Sequence, residues 1–242
     1  MPSFLRTKKS LFIVLSLKKL AIVFICVTLF VSAIIILRQN EIRANTALIG
    51  LTVVIDAGHG GRDSGTTGAF LKVREADINL AVARKLESHL RRAGFRVIQT
   101  RPSTAGLYDP NSSNRKKSDM QRRREIINRS DADLVVSIHQ NSFSMPSVHG
   151  AGVFYNIESP AGKTAALKIE RELLRINHIT KTQNKPGNFY ILEGTNIPSV
   201  LIECAFLSNR EDEAFIASTR GQEKIAFAIF CGIIRFFGVE NY

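Results

Sequence analysis

From Leu51 onward, short apolar runs alternate with longer segments in which apolar residues recur every three to four positions. A chain that switches repeatedly between those two periods is expected to build a mainly parallel sheet covered by helices, so the expected class is α/β. The strand candidates are residues 52–56, 96–100, 134–139, 152–156, 189–192 and 199–203. Between the first two, Ile78, Val82, Leu86 and Leu90 repeat every four residues in a segment that opens at Glu75 and stops at Gly94, which predicts an amphipathic helix with a glycine terminator. Further helices are expected over 116–128, 162–175 and 222–237. Residues 102–114, rich in Pro, Ser, Asn and Asp, and the polar stretch 177–188 with Pro186 and Gly187 read as loops.

The N-terminal part breaks this alternation. Residues 20–37 form eighteen consecutive positions without a charge, long enough to cross most of a bilayer's hydrocarbon core at about 1.5 Å per residue. Arg6, Lys8, Lys9, Lys18 and Lys19 precede the run, whereas Arg38 and Arg43, partly offset by Glu41, follow it. That asymmetry places the N-terminus in the cytoplasm and the domain outside. The expected layout is a basic cytoplasmic tail (1–19), a transmembrane signal-anchor (20–37), a linker (38–50) and a single folded domain (51–242). Cleavage near Ala44 and Ala47 is the alternative, but a cleaved signal normally has an apolar region of about 7–15 residues.

The net charge of +12 divides evenly, because the first 43 residues hold seven Lys or Arg and one Glu, leaving about +6 on the domain. Such a surface favours anionic partners such as a wall polymer or lipid headgroups, but charge governs association and not reaction type, and a solvated basic face is the preferred reading. The densest basic clusters, 115–117 and 122–124, have no interleaved aromatics of the kind a single-strand nucleic-acid groove needs, so no nucleic-acid partner is expected. Cys26 lies in the apolar segment, and Cys204 and Cys231 sit among apolar residues, where a free buried thiol is the default.

The chemistry concentrates where strands end. VVIDAGHGG, residues 53–61, is an apolar run that stops at a histidine between glycines. DLVVSIHQNS presents His139 in the same way, and PSVLIECAFLSN presents Glu203. Ligands of open α/β sheets bind outside the carboxyl ends of the strands, so these three residues point to one site. The glycine-rich turn is no phosphate loop: GxxxxGK[ST] is absent, and GxGxxG fails because Asp63 stands at the third glycine's place.

A hydrolytic zinc site uses three protein ligands and keeps a fourth position open. His59, His139 and Glu75 fit that set, Glu75 being placed at the start of the first helix just beyond the loop after His59. Taken alone, Glu75 reads as ordinary helix N-terminal charge and each histidine as a hydrogen-bonded structural one; matched placement at strand ends favours the ligand reading. Glu203 follows Val200, Leu201 and Ile202, so its carboxylate is expected to be partly desolvated and raised toward the range of a general base. Asp56 is a candidate to orient His59 or to stabilise the turn, and Asn141 and Asn209 are candidates for substrate contact or turn capping. His89 and His178 sit in polar settings and His149 in a loop. Ser142 lacks a GxSxG context, Cys204 lacks a paired histidine, and no HExxH is present.

IDAGHGGRDSG, EADINL, VIQTR, ADLVVSIHQNS, GVFYN and IPSVLIECAFLSN follow one another over residues 52–237. In that order they resemble the zinc-dependent N-acetylmuramoyl-L-alanine amidases of the Amidase_3 family. The resemblance implies an α/β sandwich with a mixed, largely parallel sheet, one Zn2+ held by His59, Glu75 and His139, and Glu203 as the catalytic carboxylate. The implied reaction is hydrolysis of the amide between N-acetylmuramic acid and the L-alanine of the stem peptide in peptidoglycan. Ala205 departs from many relatives, which carry glycine there. The short layout is similar to amidases of endospore formers that strip stem peptides so that muramic-δ-lactam can form in the spore cortex. A general autolysin or cell-separation amidase is the alternative, a non-catalytic wall-binding protein is the alternative of another class, and an activating protein partner is a further expectation.

Overall fold

The computed structural model describes residues 17–176, 179 and 182–239, with side chains 36–47, 182 and 183 excepted. The expected tail therefore falls mostly outside the described residues, as does His178. Two compact units emerge, residues 1–44 and 45–242. Helix α1 (Leu17–Leu48), which begins in the first and runs past residue 44, contains an apolar stretch, Leu17–Ile35, with a mean hydropathy of 2.3 and none of it buried. The helix continues through most of the segment expected to be a linker.

The second unit has β1 (Thr52–Ala57), α2 (Glu75–Arg92), β2 (Arg96–Gln99), α3 (Arg115–Asn128), β3 (Leu134–Asn141), β4 (Ala151–Tyr155), α4 (Pro160–Leu173), β5 (Thr182–Pro186), β6 (Ser199–Phe206), α5 (Arg210–Ala217) and α6 (Thr219–Phe236). One six-stranded sheet runs in the order β2-β1-β3-β6-β4-β5. The strands β2, β1, β3 and β6 are parallel, β4 is antiparallel to β6, and β5 is parallel to β4. The sheet is mixed and largely parallel, as expected.

Side-chain alternation sorts each central strand between two cores. Val53 and Ile55, Leu134 and Val136, and Val200 and Ile202 join the larger core under α2, α4 and α6. Val54, Val135 and Leu201 face the other way, into a small cluster with Ile127 of α3 and Ile191. Both faces of these strands are buried, which is why they read as continuous apolar runs. The face under α3 is only partly filled, and this matters for the site.

Three sequence expectations are corrected. Residues 189–192, expected as a strand, contain a 3-10 turn, Tyr190–Leu192, whose Ile191 and Leu192 plug the smaller core. The edge strand instead lies at Thr182–Pro186, within the stretch read as a loop. An edge strand is hydrogen-bonded on one side only, so it tolerates a polar composition and a terminal proline that hide it from an apolar pattern. Helix α5 was not expected; Asn209 starts it by accepting hydrogen bonds from the backbone of Glu211 and Asp212 at 3.0 Å. The three cysteines are free, with Cys204 and Cys231 buried.

Candidate metal and catalytic site

Because β1, β3 and β6 are parallel neighbours, their carboxyl ends open on the same edge. The register sets His139 directly beside Glu203, and the ladder shifts just beyond this pair, where Asn141 pairs with Phe206. On the other side the Gly58 N–H donates to Ile138 O at 3.0 Å and ties the end of β1 to β3. His59 then turns back with φ of 63°, a left-handed conformation that L residues rarely adopt and that concentrates at functional sites. Gly58 is required here for space: a Cβ on it would lie 2.2–2.7 Å from the His139 ring.

Glu75 starts α2 and is almost fully buried. Its Oε1 lies 3.2 Å from His59 Nε2 and 3.1 Å from His139 Nδ1. The same oxygen accepts from the Gln140 N–H at 3.1 Å and from Asn79 Nδ2 at 3.3 Å, and Oε2 accepts from the Thr66 N–H at 2.8 Å. The carboxylate is thereby fixed from three elements. One ligand-type atom from each of His59, Glu75 and His139 lies within 4.8 Å of the others. Asp63 Oδ2 stands 2.8 Å from His59 Nδ1 and leaves Nε2 turned toward Glu75. A carboxylate behind one imidazole nitrogen is the usual way of aiming the other at a metal.

Glu203 differs from every other carboxylate of the site. Its Oε2 is buried and has no hydrogen-bond partner, and burial raises its pKa to about 7. Glu75 goes the other way: burial alone would raise it, but the bonds and charges of His139 and His59 hold it well below the ordinary carboxylate range. Two neighbouring acids are thus pushed apart, one toward a fixed anion and one toward a group that exchanges a proton near neutrality.

The decisive finding is a match over residues 53–235 to the family model described as N-acetylmuramoyl-L-alanine amidase. The chain belongs to the Amidase_3 family. It is 34% identical over 194 residues to the germination-specific N-acetylmuramoyl-L-alanine amidase of Bacillus subtilis, covering 78% of this chain and 81% of that one. It is 29% identical over 232 residues to the amidase AmiC of Escherichia coli, of which it spans 53%. Among solved structures, the CwlD amidase from Clostridioides difficile in complex with the GerS lipoprotein is 36% identical. It superposes with a TM-score of 0.75, covering 79% of this chain and all of that one. The catalytic domain of CwlV from Bacillus (Paenibacillus) polymyxa var. colistinus is 31% identical, with a TM-score of 0.70 over 78% of this chain and 99% of its own. The protein is an N-acetylmuramoyl-L-alanine amidase, a hydrolase of peptidoglycan.

Within the amidase, the remaining sequence candidates divide. Asp56 does not bond His59: its carboxylate takes Arg123 Nη1 at 2.7 Å, Thr100 Oγ1 at 2.6 Å and Ser137 Oγ at 2.7 Å. Burial alone would raise it, but Arg123, Thr100 and Ser137 bring its pKa down to about 2. Arg123 also donates to the carbonyls of Ala57 and His59, so the pair holds the turn that carries His59. Asn141 accepts from the Ser142 N–H at 2.8 Å, a turn contact. His89 lies away from the site, 2.8 Å from Glu223. Burial pushes the Cys204 thiol far up, which removes it as a nucleophile.

Sequence reading missed Asp63, Arg123, Asn79 and Gln140. Asp63 carries a usable signal, because it follows His59 by four residues in a glycine-rich turn. Arg123 had none, since nothing along the chain marks one arginine of a basic run as the one turned inward.

Proposed function

We propose that this amidase depends on zinc held by His59, Glu75 and His139, that Glu203 is its general base and then its general acid, and that α1 anchors it to the membrane. The observation that carries the reading is the desolvated Glu203 carboxylate, one strand across from His139 and with one oxygen unpartnered. A nitrogen, nitrogen, oxygen donor set suits zinc, and the negative charge of Glu75 between two imidazoles favours a cation there. When bound, zinc would supply Lewis acidity at the scissile carbonyl.

The residues themselves do the rest. Asp63 and Glu75 fix the tautomer and tilt of His59. Glu203, with a pKa raised to about 7, takes a proton from the attacking water. It returns that proton to the departing nitrogen of L-alanine, which leaves as an amine while the lactyl carbonyl of N-acetylmuramic acid becomes a carboxylate. Gly152, opposite Glu203 on β4, leaves room for the Phe154 ring, which a Cβ at that position would meet at 3.0 Å.

A role in stripping stem peptides for muramic-δ-lactam in spore cortex is supported by likeness to the germination-specific amidase and to CwlD. The CwlD amidase forms a complex with the GerS lipoprotein, which supports the reading that this chain too works with a protein partner outside the membrane. The test is mass spectrometry of muropeptides after detergent-solubilised chain meets peptidoglycan, with and without zinc. Zinc-dependent release of intact stem peptides with a free L-alanine amine is the expected result; cleavage that persists after chelation of all metal refutes the zinc assignment. Loss of muramic-δ-lactam from the cortex of a deletion strain supports the spore role, whereas defective daughter-cell separation with normal lactam assigns it to an autolysin.

A further inference from the structure

On the side of the sheet that α3 covers incompletely, a cavity of about 600 Å³ opens from His59 and His139. That size is typical of a ligand site. Met120, Ile191 and Leu201 are among its apolar walls, and Tyr108, Phe189 and Tyr190 are among its aromatic ones. The cations at its mouth are Arg62 from the turn after His59, and Arg115 and Lys116 from the first turn of α3.

The charge balance of this cavity is uneven. Its three carboxylates are already engaged: Asp56 with Arg123, Asp119 with Arg123 and the Leu107 N–H, and Asp63 with His59 and the Gly65 N–H. Among the described residues, Arg62, Arg115 and Lys116 form no ion pair. Arg115 donates only to the Pro110 carbonyl and lies 5.8 Å from the Tyr108 ring, while Lys116 acts on Asp63 through space. No acid stands in the first turn of α3, where a helix favours carboxylates and disfavours cations. All three side chains are exposed to solvent and bridged to no carboxylate among the described residues, so each is available to an anionic ligand at the cavity.

We infer that this cavity is a selectivity subsite for stem peptides that keep free carboxylates beyond the L-alanine, with Arg62, Arg115 and Lys116 reading those carboxylates and the apolar floor taking the methylene chains between them. Amidated stems, isosteric but uncharged, should be the poorer ligands. The inference rests on the proposed active site only for which end of the peptide enters first.

The experiment compares two synthetic stem tripeptides, one with free side carboxylates and one with the same groups amidated. Calorimetry measures their binding to detergent-solubilised full-length chain, and turnover of the matching N-acetylmuramoyl peptides is followed with zinc present. The acid form should bind about tenfold more tightly, as expected for loss of charge-assisted hydrogen bonds, and the preference should shrink as salt rises from about 50 to about 300 mM. In the double variant Arg62→Gln, Lys116→Gln the acid-to-amide ratio should fall toward one, and Lys116→Arg should retain it. Equal binding of the two peptides by the wild-type chain, or a ratio unchanged in the double variant, overturns the inference. Failure of zinc to support turnover while the binding preference holds would instead refute the zinc mechanism alone.

Discussion

Glu203 should cost the protein stability in the same conformation that suits it to catalysis, and Glu203→Gln separates the two effects. With the metal removed by chelation, the folded-state pKa of about 7 stands above the ordinary 4.5. A carboxyl raised on folding is neutral in both states below pH 4.5 and imposes no charge penalty there. As pH rises through 4.5 the unfolded chain ionises first, and stability falls until the folded carboxyl ionises near 7, after which the loss is constant. The interval from 4.5 to about 7 corresponds to about 3 kcal/mol, since a tenfold change in a proton affinity is worth about 1.36 kcal/mol.

Glutamine has the same bulk and no titration, so any cost of burying an amide cancels when the pH dependence of the two proteins is compared. Urea unfolding of metal-free wild type and Glu203→Gln at about pH 4.5, 6 and 8 should therefore show a gap that opens between pH 4.5 and 7 in favour of the variant and then stays level. Between about pH 4.5 and 8 the melting temperature of the variant should gain about 6–12 °C relative to that of the wild type, for a domain this size. Turnover with zinc should fall about 10²–10⁴-fold in the same variant, with bound zinc retained. A gap that does not change with pH, or a variant of near-normal rate, refutes the reasoning.

Four further outcomes follow from the same geometry. Gly58→Ala would place a methyl well inside ordinary contact distance of the His139 ring, so turnover should drop about 100-fold through displacement of that imidazole, measured by stem-peptide release alongside circular dichroism showing retained fold. His139→Ala should lose both zinc, by equilibrium dialysis, and activity. Arg123→Leu leaves Asp56 and Asp119 without their buried partner and should cost about 3–5 kcal/mol in urea unfolding. In the wild type, Asp56 has its pKa lowered to about 2 from 3.8, so its contribution of about 2 kcal/mol is complete above about pH 4 and lost as pH falls through about 2; acid titration of unfolding should show that loss in the wild type and not in Arg123→Leu.

Much of the fold was legible because its signals are local. The central strands are buried on both faces and so appear as unbroken apolar runs, and α2 shows its buried stripe as a four-residue repeat of Ile78, Val82, Leu86 and Leu90. His59, His139 and Glu203 stood out because a polar residue that ends such a run must leave the core at the sheet's edge, and the likeness of these motifs to a known family supplied the reaction. What stayed hidden depends on neighbours that sequence does not put side by side. The edge strand at Thr182–Pro186 is defined by pairing with β4 and not by its own composition. The 3-10 turn at Tyr190–Leu192 is apolar because it plugs the smaller core. That Asp56 faces Arg123 while Asp63 faces His59 was decided by α3 packing over one side of the sheet, and the cavity with its unpaired cations exists only because that packing leaves the side partly uncovered. Backbone period and burial pattern are written along the chain, whereas the partner of a buried charge is chosen by the arrangement of whole elements in space.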